Sequence, residues 1–234
     1  MVDFHSHVLP GMDDGAENVE ISLRMLRESV RQGVHVLFAT SHFYADQEDP
    51  VRFLARRAAA YEEMCDALER TGQEHPDLYL GAEVLFFPGM SVADELKRLT
   101  LGNTNCLLVE PPMMRWSDTM LDEIEQTGKN LSCIPVIAHI DRYMRMLNDD
   151  TLFERVKGRR MLIQVNASFF IHEDSRPMAL KYLSEGRIHF MGSDCHNMTN
   201  RAPNLGSAAA VIQRAGVFKP FSDFNKRIYY FLGM

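Results

Sequence analysis

The chain has 234 residues, of which 46% are hydrophobic, and this length allows one α/β barrel or two small domains. Its formal net charge is -7 and its basic residues are scattered, which disfavours nucleic acid as a partner. No apolar run approaches the roughly 20 residues of a membrane span, and the first residues lack the pattern of a secretory signal. We therefore expect a cytoplasmic protein without a membrane span, in which the four cysteines are reduced thiols.

Seven short apolar runs lack the alternation of half-buried strands and therefore predict buried parallel strands. In chain order they are Val2 to Phe4, Val34 to Ala39, Leu78 to Gly81, Cys106 to Val109, Ile134 to Ala138, Met161 to Val165 and Ile188 to Met191. Segments with helical spacing separate them, most clearly Val19 to Gln32 and Val51 to Arg70. Ser117 opens a further predicted helix before Gly128.

The regular order of strand, helix and strand predicts an α/β fold in which the parallel strands form a single (β/α)7 barrel. No low-complexity linker, charge block or proline-rich stretch interrupts this order. The sequence therefore predicts one domain over residues 1–234.

Polar residues that can bind a metal follow six of the predicted strands. In a parallel barrel the carboxyl ends of the strands meet on one face, so these residues would converge although they are scattered along the chain. Carboxylates at buried strand ends would be costly unless they were paired or metal-bound, so their repetition indicates cations. The residues concerned are His5, His7, His42, Glu83, Glu110, His139, Asp194 and His196.

Other interpretations of single residues stay open at this point. An isolated histidine is more often a surface or hydrogen-bonded core residue, and carboxylates also cap helices or form ion pairs. Asp13 and Asp14 belong to an Asp-Asp-Gly run that is ordinary turn chemistry. Four histidines lack the strand-end placement and are given no role: His35, His75, His172 and His189.

Seven motifs carry a resemblance that runs nearly end to end. They are DFHSHVLPGMDDG at 3–15, TSHF at 40–43, GAE at 81–83, VEPP at 109–112, HIDRY at 139–143, QVNAS at 164–168 and GSDCHN at 192–197. With them the chain resembles the polymerase and histidinol phosphatase (PHP) superfamily, most closely its bacterial protein-tyrosine phosphatases of the CpsB/YwqE type. The resemblance implies a distorted, TIM-like barrel. Departures at Ser41, Ile140, Asp141 and Cys195 concern the substrate mouth, and no implied metal ligand is missing.

The resemblance also implies three bound metal ions and adds Asp14 to their ligands. The first ion would be held by His5, His7, Glu83 and Asp194, the second by Glu83, Glu110 and His139, and the third by Asp14, His42 and His196. Glu83 would thus be shared by two ions. The mixed nitrogen and oxygen donors suit manganese, with iron or zinc as alternatives.

By the same resemblance the protein would be a metal-dependent phosphoric monoester hydrolase. Its substrate would be a phosphotyrosine protein, a bacterial tyrosine kinase that controls capsule or exopolysaccharide export. Water bound between the metals would be the nucleophile near neutral pH. Arg142 and Arg201 would bind the phosphoryl oxygens, with surface ion pairs as the alternative for these two side chains.

Several alternatives compete with this function. Cys195 to Arg201 also spells Cys-x5-Arg, the signature of thiolate phosphatases, although the intervening residues include no glycine. A histidinol-phosphate or other small-monoester phosphatase, a nuclease, and a metal-stabilised binding module are further possibilities. Aromatic residues near the strand ends could flank an aryl ring, with core packing as the alternative for each. They are Phe43, Tyr44, Phe86, Phe87, Trp116 and Tyr143.

Overall fold

A computed structural model describes residues 1–217, 222, 223, 226, 228 and 230, so part of the predicted domain 1–234 lies outside the described residues. The strands are β1 Val2–Ser6, β2 Val36–Ala39, β3 His42–Phe43, β4 Asp77–Leu80, β5 Glu83–Leu85, β6 Cys106–Glu110, β7 Ile134–Ile137, β8 Leu162–Asn166 and β9 Phe190–Gly192. The α-helices are α1 Val19–Arg31, α2 Pro50–Thr71, α3 Asp118–Leu131, α4 Ile140–Leu147, α5 Leu152–Val156, α6 Ser168–Ile171, α7 Arg176–Ser184 and α8 Leu205–Arg214. Short 3-10 helices span Met90–Val92 and Asp94–Leu99.

The strands form two sheets whose pairs are parallel. One sheet has the order β1-β2-β4, and the other, a half-barrel, has the order β3-β5-β6-β7-β8-β9. Adjacent strands in both sheets are paired in parallel, as the apolar runs predict. The α/β class with parallel strands is confirmed, and a complete (β/α)7 barrel stays a prediction.

The two sheets meet at the carboxyl ends of their strands. The chain passes directly from β2 into β3 and from β4 into β5, and the Glu83 amide donates to the carbonyl of Ser41 at 3.1 Å. On the other side, the Asp194 amide donates to the His5 carbonyl at 2.8 Å. This approach needs Gly192, because a Cβ atom there would lie 2.5 Å from the His5 Cβ. The strand ends of both sheets therefore border one region.

Helices α1 and α2 agree with the sequence prediction, whereas strands β3 and β5 and the end of helix α3 differ from it. Helices α1 and α2 begin after Asn18 and Asp49, whose side chains accept backbone N–H groups of the first turn, and both end within one residue of their predicted ends. The strands β3 and β5 were not predicted. Helix α3 continues past Gly128, which packs against Pro135, and ends before Ser132 in a left-handed conformation.

The core lies between the sheets and the surrounding helices. Its largest cluster of buried side chains runs from Val8 to Ile212 and includes residues of β2, β6, β7, β8 and most of the helices. Among the residues that the structure describes, no helix is both long and apolar enough to cross a membrane. The helices thus form the outer layer over a buried sheet region, and the strand ends position the polar residues considered next.

Candidate metal centre

The nine residues predicted to bind metals lie together at the carboxyl ends of the strands. In three groups the nitrogen and oxygen atoms that could bind a cation all lie within 4.8 Å of one another. The groups are His5, His7 and Glu83; His42, Glu83 and Glu110; and His7, Asp14, His42 and His196. His139 and Asp194 adjoin them, with His139 Nε2 2.8 Å from Glu83 Oε1 and Asp194 Oδ1 3.6 Å from His7 Nε2. The predicted convergence is therefore observed.

Glu83, at the start of β5, is the centre of this cluster. Its Oε2 atom lies 3.1 Å from His5 Nε2, 3.3 Å from His7 Nε2 and 3.1 Å from His42 Nδ1. The carboxylate is fully buried. Burial opposes its ionisation, but the neighbouring imidazoles, led by His5 and His139, outweigh burial and hold the pKa of Glu83 well below its usual range. One buried carboxylate thus faces four imidazoles.

Asp14 and Glu110 lie where the cluster opens to solvent. The Asp14 side chain is 64% exposed, and its Oδ1 lies 3.2 Å from His196 Nε2 and 3.5 Å from His42 Nε2. Glu110 Oε2 lies 3.5 Å from His42 Nδ1. Burial and the charge of Glu83 together raise the pKa of Glu110 to about 8. Negative charge is therefore in excess near Glu110, which favours a cation there.

Three buried atoms of the cluster lie close to other nitrogen or oxygen atoms but form no hydrogen bond of acceptable geometry with any described residue. They are His42 Nδ1, Glu83 Oε2 and His196 Nε2. An unsatisfied buried polar atom costs about 1–3 kcal/mol, so native proteins seldom leave several together. Imidazole nitrogens and carboxylate oxygens are the donors that manganese, iron and zinc accept. The residues present therefore fit bound metal ions.

Two of the cluster residues have a backbone conformation that side chains rarely adopt. His139 has φ of 28° and Asp194 has φ of 52°. Such conformations cost about 1–3 kcal/mol and persist where surrounding contacts fix them. The His139 amide donates to Gln164 Oε1 at 2.6 Å, and the Asp194 amide donates to the His5 carbonyl. This strain coincides with the two sharp turns that direct the His139 and Asp194 side chains into the cluster.

Arg142 and Arg201 lie beside the cluster and share one partner. The Arg142 guanidinium donates to Asp194 Oδ2, and the Arg201 guanidinium donates to Asp194 Oδ1 at 2.8 Å. Arg142 also lies 3.1 Å from His139 Nε2. Both guanidinium groups are partly exposed, so a bound anion can reach them. Both arginines thus form ion pairs with a buried carboxylate of the cluster, and their role in binding phosphoryl oxygens stays a prediction.

Comparison with known proteins identifies the family. The CpsB/CapC family, described as capsular polysaccharide synthesis, matches residues 1–219. The chain belongs to this family. Tyrosine-protein phosphatase CpsB of Streptococcus agalactiae serotype V is 31% identical over 227 residues, which are 92% of this chain and 90% of the relative. Tyrosine-protein phosphatase YwqE of Bacillus subtilis is 28% identical over 225 residues, covering 92% of this chain and 84% of the relative.

A solved structure is similar as well. It comes from a crystallographic study of YwqE from Bacillus subtilis and CpsB from Streptococcus pneumoniae, described as unique metal-dependent tyrosine phosphatases. The superposition has a TM-score of 0.79 at 25% sequence identity and covers 92% of this chain and 87% of the other. The resemblance to the CpsB/YwqE type that the sequence motifs indicate is therefore confirmed.

Cys195 is poorly placed to be a nucleophile in this CpsB/CapC family member. Its side chain is fully buried beside β1, with which the Cys195 backbone forms a bridge at Ser6. Burial, together with the charge of Asp3, raises the pKa of the Cys195 thiol above its ordinary value. A thiolate mechanism requires an accessible thiol of low pKa. The geometry therefore disfavours the Cys-x5-Arg interpretation.

Two polar residues that accept hydrogen bonds from cluster histidines were given no role by the sequence interpretation. Asp13 accepts His7 Nδ1–H at 2.8 Å and the His42 backbone N–H at 2.8 Å. Gln164 accepts His5 Nδ1–H at 3.3 Å as well as the His139 amide. Each side chain thus holds two histidines of the cluster. Asp13 looked like a turn residue and Gln164 lies inside a predicted strand, so their place in the motifs at 3–15 and 164–168 was the signal that could have found them.

The aromatic residues named for the substrate mouth divide into two sets. Phe43, Trp116 and Tyr143 are buried, and the Tyr143 hydroxyl donates to a backbone carbonyl, so these three belong to the core. Tyr44 is half-buried and its ring is stacked on His42 with 5.2 Å between centroids. Phe86 and Phe87 are partly buried against the core. Tyr44 is thus a half-buried aromatic side chain in ring contact with a cluster residue, whereas the buried Tyr143 ring contacts His139 with 5.4 Å between centroids.

Proposed function

We propose that this CpsB/CapC family member is a metal-dependent protein-tyrosine phosphatase. The observation that carries the proposal is the convergence of eight other candidate ligand groups on the buried Glu83 carboxylate, with two guanidinium groups beside them. Relatives that match over nine-tenths of the chain are tyrosine-protein phosphatases, which supports the same function. The substrate class is a phosphoric monoester of tyrosine in a protein.

The nine residues would hold up to three ions, with manganese as the first candidate and iron or zinc as alternatives. His5, His7, Glu83 and Asp194 would bind the first ion, Glu83, Glu110 and His139 the second, and Asp14, His42 and His196 the third. When bound, such ions lower the pKa of coordinated water and neutralise charge on phosphoryl oxygens. The buried atoms of His42, Glu83 and His196 that form no hydrogen bond of acceptable geometry support this assignment.

The chain's own contribution to phosphoryl transfer is orientation and charge. Arg142 and Arg201 offer planar guanidinium donors that can bind two phosphoryl oxygens in fixed geometry. Asp194 anchors both of them, and Asn166 Nδ2 in turn donates to Asp194 Oδ2 at 2.9 Å. This network fixes the direction of the guanidinium groups before a substrate arrives. Fixed donors lose little entropy when the phosphoryl group binds.

The protein substrate and the cellular location are inferred together with the proposed activity. We infer that the phosphotyrosine protein is a bacterial tyrosine kinase of capsule or exopolysaccharide synthesis, which the family's link to capsular polysaccharide synthesis supports. A cytoplasmic location is supported by the four cysteines, all of which are free thiols. The partner can be tested by phosphotyrosine immunoblotting of the kinase after incubation with the enzyme.

The proposal includes the number of domains and the closure of the barrel. We infer that the chain is one domain and that its strands close into a distorted (β/α)7 barrel, with β2 continuing into β3 and β4 into β5. The hydrogen bonds between β1 and the residues after β9 support closure. A hydrophobic cluster that runs from Val8 to Ile212 supports a single domain.

A histidinol-phosphate or other small-monoester phosphatase is the alternative function. A substrate panel separates the two, with a phosphotyrosine peptide, a phosphoserine peptide and histidinol phosphate assayed on one metal-loaded sample. We expect kcat/KM to be highest for the phosphotyrosine peptide. A preference for histidinol phosphate by tenfold or more would replace the proposed substrate class.

Replacement of Asp13 by Asn should weaken metal binding. The Asp13 carboxylate lies 2.8 Å from His7 Nδ1 and so favours the neutral tautomer that is protonated there, which leaves the Nε2 lone pair beside Glu83 free for a metal ion. Loss of a carboxylate that orients a ligand histidine typically lowers metal affinity by about 10–100-fold. Competition with a chelator of known affinity measures this change. The control is Asp46→Asn, at an exposed position in the loop between β3 and α2.

Replacement of Cys195 by Ser should have little effect on turnover. The thiol is buried and has a raised pKa, so it does not supply the nucleophile. We expect kcat on a phosphotyrosine peptide to stay within about threefold of the wild-type value, because a buried Cys→Ser exchange changes mainly packing and polarity. Steady-state kinetics at matched metal content is the measurement. A loss of a thousandfold with metal retained would support the thiolate mechanism instead.

A further inference from the structure

A groove adjoins the candidate metal centre on the side of the two arginines. Its volume is about 690 Å³, and its inner end is lined by Arg142, Asn166, Asp194 and Arg201. The guanidinium groups proposed to bind the phosphoryl group therefore also border the groove. A substrate held at the metal centre would extend into this space.

The groove is larger than a phosphoryl group requires. Pockets of about 300–1,000 Å³ typically enclose most of a ligand of drug size, so a single phosphate leaves most of this volume for other parts of the substrate. Apolar side chains line part of it: Met144 and Phe169, which are buried, and Met178, which is half-buried. Methionine and phenylalanine side chains give adaptable apolar contact for an aryl ring and the carbon atoms next to it.

The outer part of the groove is charged. Helix α4, the segment after it and the segment between α6 and α7 contribute exposed or half-exposed polar side chains: Arg145, Asn148, Asp150, His172 and Asp174. Asp150 and Asp174 are both exposed, and within the described part of the chain neither carboxylate has an ion-pair partner. Two carboxylates thus stand against one guanidinium group, that of Arg145. A cationic group on the substrate would complement the excess negative charge of this rim.

We propose that this groove binds the polypeptide segment next to the phosphotyrosine and that Asp150 and Asp174 select a substrate with lysine or arginine near the phosphorylated residue. The inference rests on the proposed phosphatase function and adds the recognition of flanking residues to it. The phosphoryl group lies at Arg142 and Arg201, the aryl ring lies towards Phe169, and the neighbouring residues of the substrate cross the outer rim. Small monoesters fill only the inner end.

The test compares two phosphotyrosine peptides that differ only in their flanks, one with lysine and one with glutamate near the phosphotyrosine. Each kcat/KM is divided by that for p-nitrophenyl phosphate on the same enzyme sample. For the wild-type chain we expect the lysine peptide to be preferred by about tenfold, the size that two partly exposed charge contacts give. In the double variant Asp150→Lys/Asp174→Lys this preference should disappear or reverse. Both positions are exposed, so the fold tolerates the change.

The matched control is Glu62→Lys/Glu63→Lys on α2, which changes the net charge equally at two exposed positions. Its preference for the lysine peptide should equal that of the wild type. An equal effect in both double variants would show long-range attraction alone, and an unchanged ratio in Asp150→Lys/Asp174→Lys would show that the rim does not contact substrate. Either result overturns the groove proposal. Failure of the wild-type chain to hydrolyse any phosphotyrosine peptide would instead overturn the proposed function.

Discussion

Replacement of Glu83 by Gln should abolish hydrolysis of a phosphotyrosine peptide, lowering kcat/KM by about 10³-fold or more. Among the residues that the structure describes, Glu83 is the one carboxylate that lies within 4 Å of four imidazoles, and it would be shared by two ions. A neutral amide of the same shape cannot supply the charge that two cations share. We therefore also expect bound metal per chain to fall, as measured by elemental analysis of the same sample.

The fold of this variant should survive, which separates loss of metal from loss of structure. In the metal-free chain the charge of Glu83 repels Glu110 but attracts the imidazoles of His5 and His139, so its removal relieves one repulsion and loses these attractions. The metal-free variant should therefore melt cooperatively but somewhat below the metal-free wild type, while the stabilisation that added metal gives should shrink. Glu69→Gln, at an exposed position on α2, is the control. Full activity and metal content in Glu83→Gln would contradict the assignment of Glu83.

Replacement of Arg142 or Arg201 by Ala should lower kcat by about 10²–10³-fold while bound metal is kept. These guanidinium groups lie beside the cluster and donate to Asp194, but they offer no lone pair to a cation. Their removal frees an Asp194 oxygen, so metal affinity should stay equal or rise. Elemental analysis and steady-state kinetics on one sample measure both effects.

Inhibition by inorganic phosphate tests directly whether Arg142 and Arg201 bind phosphoryl oxygens. A guanidinium group that binds phosphoryl oxygens also binds free phosphate, so its loss should raise the inhibition constant by about tenfold or more. Arg70→Ala on α2 is the control, since that side chain is exposed on an outer helix. Unchanged phosphate inhibition together with unchanged kcat would remove Arg142 and Arg201 from the proposed site.

The parallel α/β fold and the convergence of the candidate ligands could be predicted because their signals are local and repeated. Continuous apolar runs such as Cys106 to Val109 have the pattern of buried parallel strands, and polar residues such as Glu110 and His139 follow them directly. Because the carboxyl ends of the parallel strands lie on one face of the fold, these residues come together. Asp14 was predicted only through the family resemblance, since its motif also describes a turn.

What the sequence could not show depends on contacts between distant segments. Asp13 becomes a partner of His7 and His42 only because the loop folds back tightly at Gly15, where a Cβ atom would lie 2.4 Å from the His7 carbonyl oxygen. The groove likewise draws Met144 and Phe169 from separate helices. Trp116 is near the strand ends in sequence, but its ring packs against Tyr143 in the core. Proximity to a motif in the sequence therefore did not determine which side chains line the groove.

The most direct test of the central claim is to measure bound metal and phosphotyrosine hydrolysis together during removal and return of the metal. From the nine convergent candidate ligands and the unsatisfied buried atoms of His42, Glu83 and His196 we expect activity to follow metal content. We predict that thorough chelation abolishes hydrolysis of a phosphotyrosine peptide and that manganese, iron or zinc restores it as up to about three ions bind per chain. Full hydrolysis by a chain that retains less than about one-tenth of an ion would contradict the account.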